Sequence, residues 1–332
     1  MALHGWLILD KPLGLGSTQA VSAVKRALRE GGYAKVKVGH GGTLDPLASG
    51  VLPVALGEAT KLSGRMLDAD KAYDFTIAFG VETDTLDLEG ETIATSDQRP
   101  TLAEIEAVLE RFTGPIDQVP PSYSALKVDG KRAYDRARAG ETVELASRHV
   151  TIHALSILPG TGRGTAPRSG VVEGARCGSL DPLHQPAAGP PPRSGEVLAE
   201  ITLSARVSKG TYIRSLARDI ALALGTVGHV AMLRRTKAGP FGLEGAISLD
   251  NLAEAAKARD LERLLLPLTA GLDDIPALTV SPDQAKLLRQ GQRMIGTAHA
   301  PGLLMAIDGN GVPVALAEAV GPEIRVVRGF NL

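Results

Sequence analysis

Hydrophobic and polar positions along the chain alternate with two different periods, and the changes of period mark the expected elements. Residues 5 to 9 are a short apolar run entering the turn Asp10-Lys11-Pro12-Leu13-Gly14, which predicts a strand. Val21, Val24 and Leu28 then recur at helical spacing, so Ser17 is expected to cap a helix that ends at Gly31-Gly32. Residues 38 to 45 read as a glycine-rich loop and Val51 to Leu56 as a buried strand. Tyr73, Phe75, Ile77 and Phe79 alternate through a strand over 71 to 80. Thr101 and Glu104 form a capping box that opens a helix running to Phe112. Two more strands are predicted over 148 to 158 and 197 to 207, and a helix over 212 to 224 that stops at Gly225. Strands and helices in this order predict an α+β fold with a mixed β-sheet flanked by helices, since a regular strand–helix repeat is lacking.

Two regions break the pattern. Residues 159–196 are rich in glycine and proline, include Pro190-Pro191-Pro192, and bury too little apolar surface to offset their ordering entropy. They read as a flexible insertion between two strands that would otherwise be adjacent, and Cys177 within it is not expected to be catalytic. Near the end, Ser281-Pro282-Asp283-Gln284 is a second capping box. β-like segments follow at 303 to 307, 312 to 318 and 324 to 327. The expected division is a large domain over 1–275 and a small β-rich domain over 276–332.

Composition narrows the class without fixing the function. Hydrophobic residues make up 44% and charged residues 22%, as in ordinary globular proteins. No signal peptide and no apolar run long enough for a membrane are evident, and a single cysteine excludes an internal disulfide framework. A cytoplasmic protein with no membrane association is the expectation. The formal net charge of -1 argues for no particular partner, but its distribution is uneven. From Ala205 to Pro240 the basic residues are Arg206, Lys209, Arg214, Arg218, Arg234, Arg235 and Lys237, with Asp219 as the only acid. One basic face would suit phosphate binding; a solvated helix face would look the same in sequence.

The segment most suggestive of chemistry is His40-Gly41-Gly42-Thr43-Leu44-Asp45-Pro46-Leu47-Ala48-Ser49-Gly50. Asp45 precedes a proline that keeps it out of helical geometry. A carboxylate on a rigid turn beside an apolar strand could be a nucleophile, and it could equally cap a turn. A P-loop is excluded because no Gly-Lys-Ser/Thr ending follows, and zinc because the seven histidines lack ligand spacing.

The segment is similar to the catalytic motif of the TruB family of tRNA pseudouridine synthases, and other family motifs follow in order. They are Gly5-Trp6-Leu7-Ile8-Leu9-Asp10-Lys11-Pro12, Leu56-Gly57-Glu58-Ala59-Thr60-Lys61, Lys71-Ala72-Tyr73, the run from Val119 to Lys127, the run from Ser208 to Arg214, and Leu233-Arg234-Arg235-Thr236. The resemblance covers 5 to 330 apart from the insertion. It implies isomerisation of uridine to pseudouridine at position 55 in the T-loop of tRNA, with Asp45 as catalytic aspartate, Arg214 its partner and Tyr73 the active-site tyrosine. It places Tyr212 and Leu233 at the base pocket and His40 in the space left by a flipped nucleotide. Lys11 is a supporting residue, and Lys209 and Arg234 are candidate substrate contacts. No cofactor or metal is implied, since the reaction transfers no electrons or groups to another molecule. The partner is the T-arm of tRNA, bound by a monomer without an obligate protein partner, and the tail resembles a PUA-type RNA-binding module. Rival readings are a non-catalytic RNA binder, a guide-dependent synthase and a glycoside-processing enzyme, the last lacking a second carboxylate with a clear acid role.

Overall fold

The computed structural model describes residues 3–124, 126–128, 131–138, 145–159, 163–164, 196–295 and 300–332. The first sheet has ten strands. Its main strands in chain order are β1 (Gly5–Lys11), β3 (Ala48–Leu56), β4 (Lys71–Phe79), β5 (Gly114–Gln118), β6 (Arg148–Ile157), β7 (Leu198–Val207) and β8 (Gly228–Ala238), with the short β2 (Val38–His40) paired to β3. In space they run β1-β3-β8-β4-β7-β6-β5. Only β3 and β8 pair in parallel along that path; every other pairing is antiparallel. The sheet is therefore mixed, and the fold is α+β.

Two apolar clusters cover one face. Leu7 and Leu9 of β1 and Leu52, Val54 and Leu56 of β3 pack against helix α1 (Ser17–Glu30). Leu252, Ala255 and Ala256 of a later helix close the same cluster. Along the sheet, Phe75, Ile77 and Leu203 pack against α2 (Leu102–Leu109) and α3 (Ile213–Ala223). Each fully buried leucine or phenylalanine contributes roughly 1.5 to 3 kcal/mol relative to exposure. Tyr73 and Leu233 touch both clusters, so the two meet at β4 and β8.

The opposite face of β1 and β3 carries Trp6, Ile8, Val51 and Ala55. Strand alternation separates these from Leu7 and Leu9. They pack with Phe241 and with Met305, Leu316 and Phe330 of a second sheet. That sheet has five strands: β9 (Ala277–Thr279), β10 (Met294–Ile295), β11 (Gly302–Ile307), β12 (Pro313–Val320) and β13 (Glu323–Gly329), ordered β9-β11-β12-β13-β10. Its own core includes Leu288 of the helix Pro282–Arg289, whose capping Ser281 and Gln284 bond as the sequence predicts.

Several expectations change. Ser17 is not the cap of α1; Gly16 holds that position, and the Gln19 side chain accepts from its amide at 2.8 Å. The Ser17 hydroxyl is engaged elsewhere, with Leu44. Residues 38 to 40 are a strand because their backbone pairs with residues 54 to 56. The strand β8 is not apparent in the sequence, because bulges between Val230 and Met232 and between Arg235 and Lys237 break its period of two. β6 and β7 do pair antiparallel, as the placement of the insertion between them requires. Most of 159–196, including Cys177, lies outside the described residues; Arg163–Gly164 pair with β7.

Candidate active site

The loop carrying Asp45 joins β2 to β3 and is fixed at several points. Gly41 N donates to Pro53 O at 2.8 Å. Leu44 is held through both backbone groups, its amide donating to Ser17 Oγ at 2.7 Å and its carbonyl accepting from the same hydroxyl at 3.0 Å. Arg235, 1% exposed, lies beneath and donates from Nη1 to Thr43 O at 3.1 Å and from Nε to Val51 O at 2.7 Å. Gly50, with φ at 101°, passes so close to the Arg235 carbonyl that a β-carbon would overlap it. Asp45 therefore projects from a platform braced on both flanks.

Arg214 meets Asp45 from the first turn of α3. Its Nη2 lies 2.9 Å from Asp45 Oδ2, and its Nη1 lies 3.2 Å from Asp87 Oδ2. It also donates to Thr85 O at 2.7 Å and to Tyr123 O at 3.0 Å. The Arg214 and Asp87 side chains are 9% and 10% exposed, whereas that of Asp45 is 46% exposed. Two carboxylates and two carbonyls thus occupy both terminal nitrogens of a buried guanidinium. It holds one oxygen of an Asp45 side chain that stays partly open to solvent. Asp87 lies between the strand ending near residue 80 and the helix from Thr101, in a stretch where the sequence carries no motif that singles it out.

Tyr212 precedes α3, where its amide donates to Gln118 Oε1 at 2.8 Å and its carbonyl accepts from Gln118 Nε2 at 3.2 Å. Fully buried Gln118, the last residue of β5, is a second residue that sequence reasoning missed, since a lone glutamine carries no signal. Burial raises the Tyr212 phenol above its usual range, with the Ser124 hydroxyl opposing. Lys11 is fully buried and donates to Pro12 O at 2.9 Å and Leu15 O at 2.6 Å. Burial pulls it down to about 8, Asp45 acts in the opposite direction, and Arg235 lowers it further.

A cavity of about 90 Å³ opens at Asp45, walled by Leu47, Asp87, Arg214, Val230 and Leu233 among others. Asp45, Arg214 and Leu233 thus share one site, with Tyr212 beside it and Lys11 behind it. Tyr73 sits in the sheet opposite Arg235 and Ala205. His40 is half-buried in β2 with Nδ1 unbonded among the described residues. Lys209 and Arg234 lie elsewhere. Lys209 pairs with Asp68 at 3.2 Å on the surface, and Arg234 pairs with Asp10 at 2.7 Å.

A larger cleft of about 470 Å³ lies apart from Asp45 and is lined by Lys71, Arg206 and Lys237 but also by Asp68, Asp70 and Asp273. Arg206 and Lys237 both pair with Ala72 in the sheet, which puts them on the face away from Tyr73. The basic window is therefore not one face: Arg214 and Arg235 are buried beside the Asp45 loop, and Arg206 and Lys237 point to the other side. Among the described residues no group of three or more His, Cys, Asp or Glu could hold a metal ion, and no helix is long and apolar enough to cross a membrane.

The chain belongs to the TruB family of pseudouridylate synthases. Residues 28–168 match the family's N-terminal domain, and residues 214–273 match the tRNA pseudouridylate synthase B C-terminal domain. It is similar to tRNA pseudouridine synthase B of Novosphingobium aromaticivorans, 60% identical over 99% of this chain and 98% of that protein. The enzyme of the same name from Zymomonas mobilis is 59% identical over 99% and 97%. Two solved structures share the fold with a TM-score of 0.67, each covering 99% of this chain. One is an H/ACA RNP bound to a substrate RNA containing 2'-deoxyuridine, 22% identical and 86% covered; the other is a Cbf5-Nop10-Gar1 complex, 24% identical and 85% covered.

Proposed function

We propose that the chain isomerises uridine to pseudouridine in the T-loop of tRNA, at position 55, with Asp45 as the catalytic carboxylate. The observation that carries this is the divided state of Asp45: one oxygen is held by buried Arg214, and the side chain is otherwise open to the small cavity. The reaction breaks the N1–C1′ bond, turns the uracil and joins C5 to C1′; the C5 proton leaves and N1 gains one, so nothing enters or departs. That balance calls for no cofactor or metal. Asp45 acts at C1′, as nucleophile or as the charge that stabilises a dissociated sugar cation. A uridine in a folded T-loop has to leave its stack to reach the cavity. Leu233 and Tyr212 receive the base, Tyr73 stacks on it or moves a proton, and His40 takes the vacated space. Lys11 supports the turn below.

Backbone contacts with RNA fall to exposed cations such as Lys209; Arg234 must release Asp10 before it can join them. The five-stranded sheet serves as a PUA-like module on the acceptor side of the tRNA. The chain acts as a cytoplasmic monomer without an obligate protein partner. Asp45→Asn tests the assignment, because the amide keeps the shape and removes the charge. Its tRNA binding should persist while pseudouridine, detected by mass shift after chemical labelling, disappears. Turnover near that of the unaltered chain would refute the role of Asp45.

A further inference from the structure

Two exposed leucines border the Asp45 cavity, Leu13 at 62% exposure and Leu88 at 59%. A lone exposed leucine is common on protein surfaces. These two differ in how they are held. Buried Lys11 draws in the carbonyls of Pro12 and Leu15, one on each side of Leu13. Gly14 N donates to Pro46 O at 2.8 Å, which ties the same turn to the residue after Asp45.

Leu88 stands on a second turn built the same way. Asp87 Oδ1 accepts from Thr85 Oγ1 at 2.6 Å and from Glu89 N at 3.0 Å, one on each side of Leu88. Leu86 takes φ of 62°, a conformation disfavoured for a residue with a side chain, and its carbonyl accepts from Val230 N at 3.0 Å. Each leucine is therefore presented outward by a turn that a buried charge draws tight. Packing within the folded chain does not require this, because both side chains face solvent.

We propose that Leu13 and Leu88 form an apolar jaw that grips the extruded pyrimidine nucleotide at the mouth of the Asp45 cavity. The inference rests on the reading that a uridine is flipped toward Asp45. The chemistry favours aliphatic contacts here. Once N1–C1′ breaks, the uracil has to turn before C5 meets C1′, and hydrogen bonds to its edge would oppose that turn. Aliphatic contact with its faces has no preferred direction, so it retains the base throughout. Leu47, Val230 and Leu233 continue the same lining inward.

The test compares Leu13→Ser, Leu88→Ser and the double variant with the unaltered chain. Three readouts are taken: thermal melting, single-turnover pseudouridine formation at saturating enzyme, and fluorescence of a 2-aminopurine placed beside the target uridine in a T-arm RNA. Melting should be unchanged, because neither side chain packs inside the fold. Covering most of one leucine is worth on the order of tenfold, so each single variant should lose about five- to tenfold in rate, and the double variant more. The fluorescence rise that reports extrusion should shrink in parallel, and Leu88→Met should restore most of both. A double variant with unchanged melting, rate and fluorescence would overturn the jaw. Turnover by Asp45→Asn would refute the underlying reading instead, and the jaw with it, while leaving the leucine measurements recognisably separate.

Discussion

Replacing Asp87 by asparagine isolates one ion pair in a crowded site. Asn Oδ1 can still accept from Thr85 Oγ1 and Glu89 N, so the turn keeps its bonds. The other atom becomes an N–H donor facing Arg214 Nη1, where Asp87 Oδ2 now lies at 3.2 Å. Arg214 retains Asp45 Oδ2, Thr85 O and Tyr123 O, but the anion that balances Asp45 on its far side is lost. The guanidinium is then free to shift, carrying the oxygen it holds on Asp45. A hydrogen bond to a charged group is worth about 1.5 to 3 kcal/mol. Expressed in the barrier, 2 to 3 kcal/mol is a fall of roughly 30- to 150-fold in the single-turnover rate. RNA affinity should move little, since the change leaves every exposed cation in place and Asp87 is 7% exposed. The loss in melting temperature should be a few degrees, at roughly 2 to 4 °C per kcal/mol for a domain of this size. The assay is quenched single-turnover conversion of labelled tRNA, beside filter binding and a thermal melt. A folded Asp87→Asn protein within about threefold of the original rate would refute the idea that Asp87 positions Asp45 through Arg214.

Two other changes probe the supports. Ser17→Ala removes the hydroxyl that bonds both the Leu44 amide and its carbonyl, at a cost of about 1 to 3 kcal/mol, and should speed hydrogen exchange at Leu44 while slowing turnover; unchanged exchange at Leu44 would count against the brace. Lys11 titrates at about 8 in the folded chain and at 10.5 when unfolded, so between those pH values the unfolded chain binds more protons and stability rises with pH. Lys11→Met should lose that rise, up to about 3 kcal/mol, measured as the difference between urea melts at pH 8 and pH 10.5. Lys71 behaves similarly but is present in both proteins, so the difference isolates Lys11.

What the sequence reveals about this fold follows the range of the forces involved. The strand from Lys71 and the capping boxes at Thr101 and Ser281 are legible because residues two to four positions apart determine them. β8 is not, because two bulges break its alternation and three cations, Arg234, Arg235 and Lys237, interrupt its apolar pattern. Its place between β3 and β4 is decided by pairings far along the chain. Ser17 shows the same limit: its local preference is to cap a helix, but a distant backbone claims the hydroxyl. At the site, the Asp45-Pro46 turn leaves a nucleophile and a turn cap equally open, and only the family motifs separate them and single out Arg214. Asp87 and Gln118 act through partners that no local pattern reveals.

The join between the two sheets sets a problem of timing during synthesis. Trp6 and Ile8 lie in β1, whose outer edge is closed by backbone bonds from Ile247 and Leu266 and whose outer face is closed by Phe330. The roughly 320 residues that separate Trp6 from Phe330 take on the order of 15 to 65 seconds to translate at typical rates. Through most of that interval a hydrophobic edge strand stands open, the kind of surface that pairs with another chain. The nascent protein is therefore most vulnerable at β1, whose edge waits for Ile247 and Leu266 and whose outer face waits for Phe330.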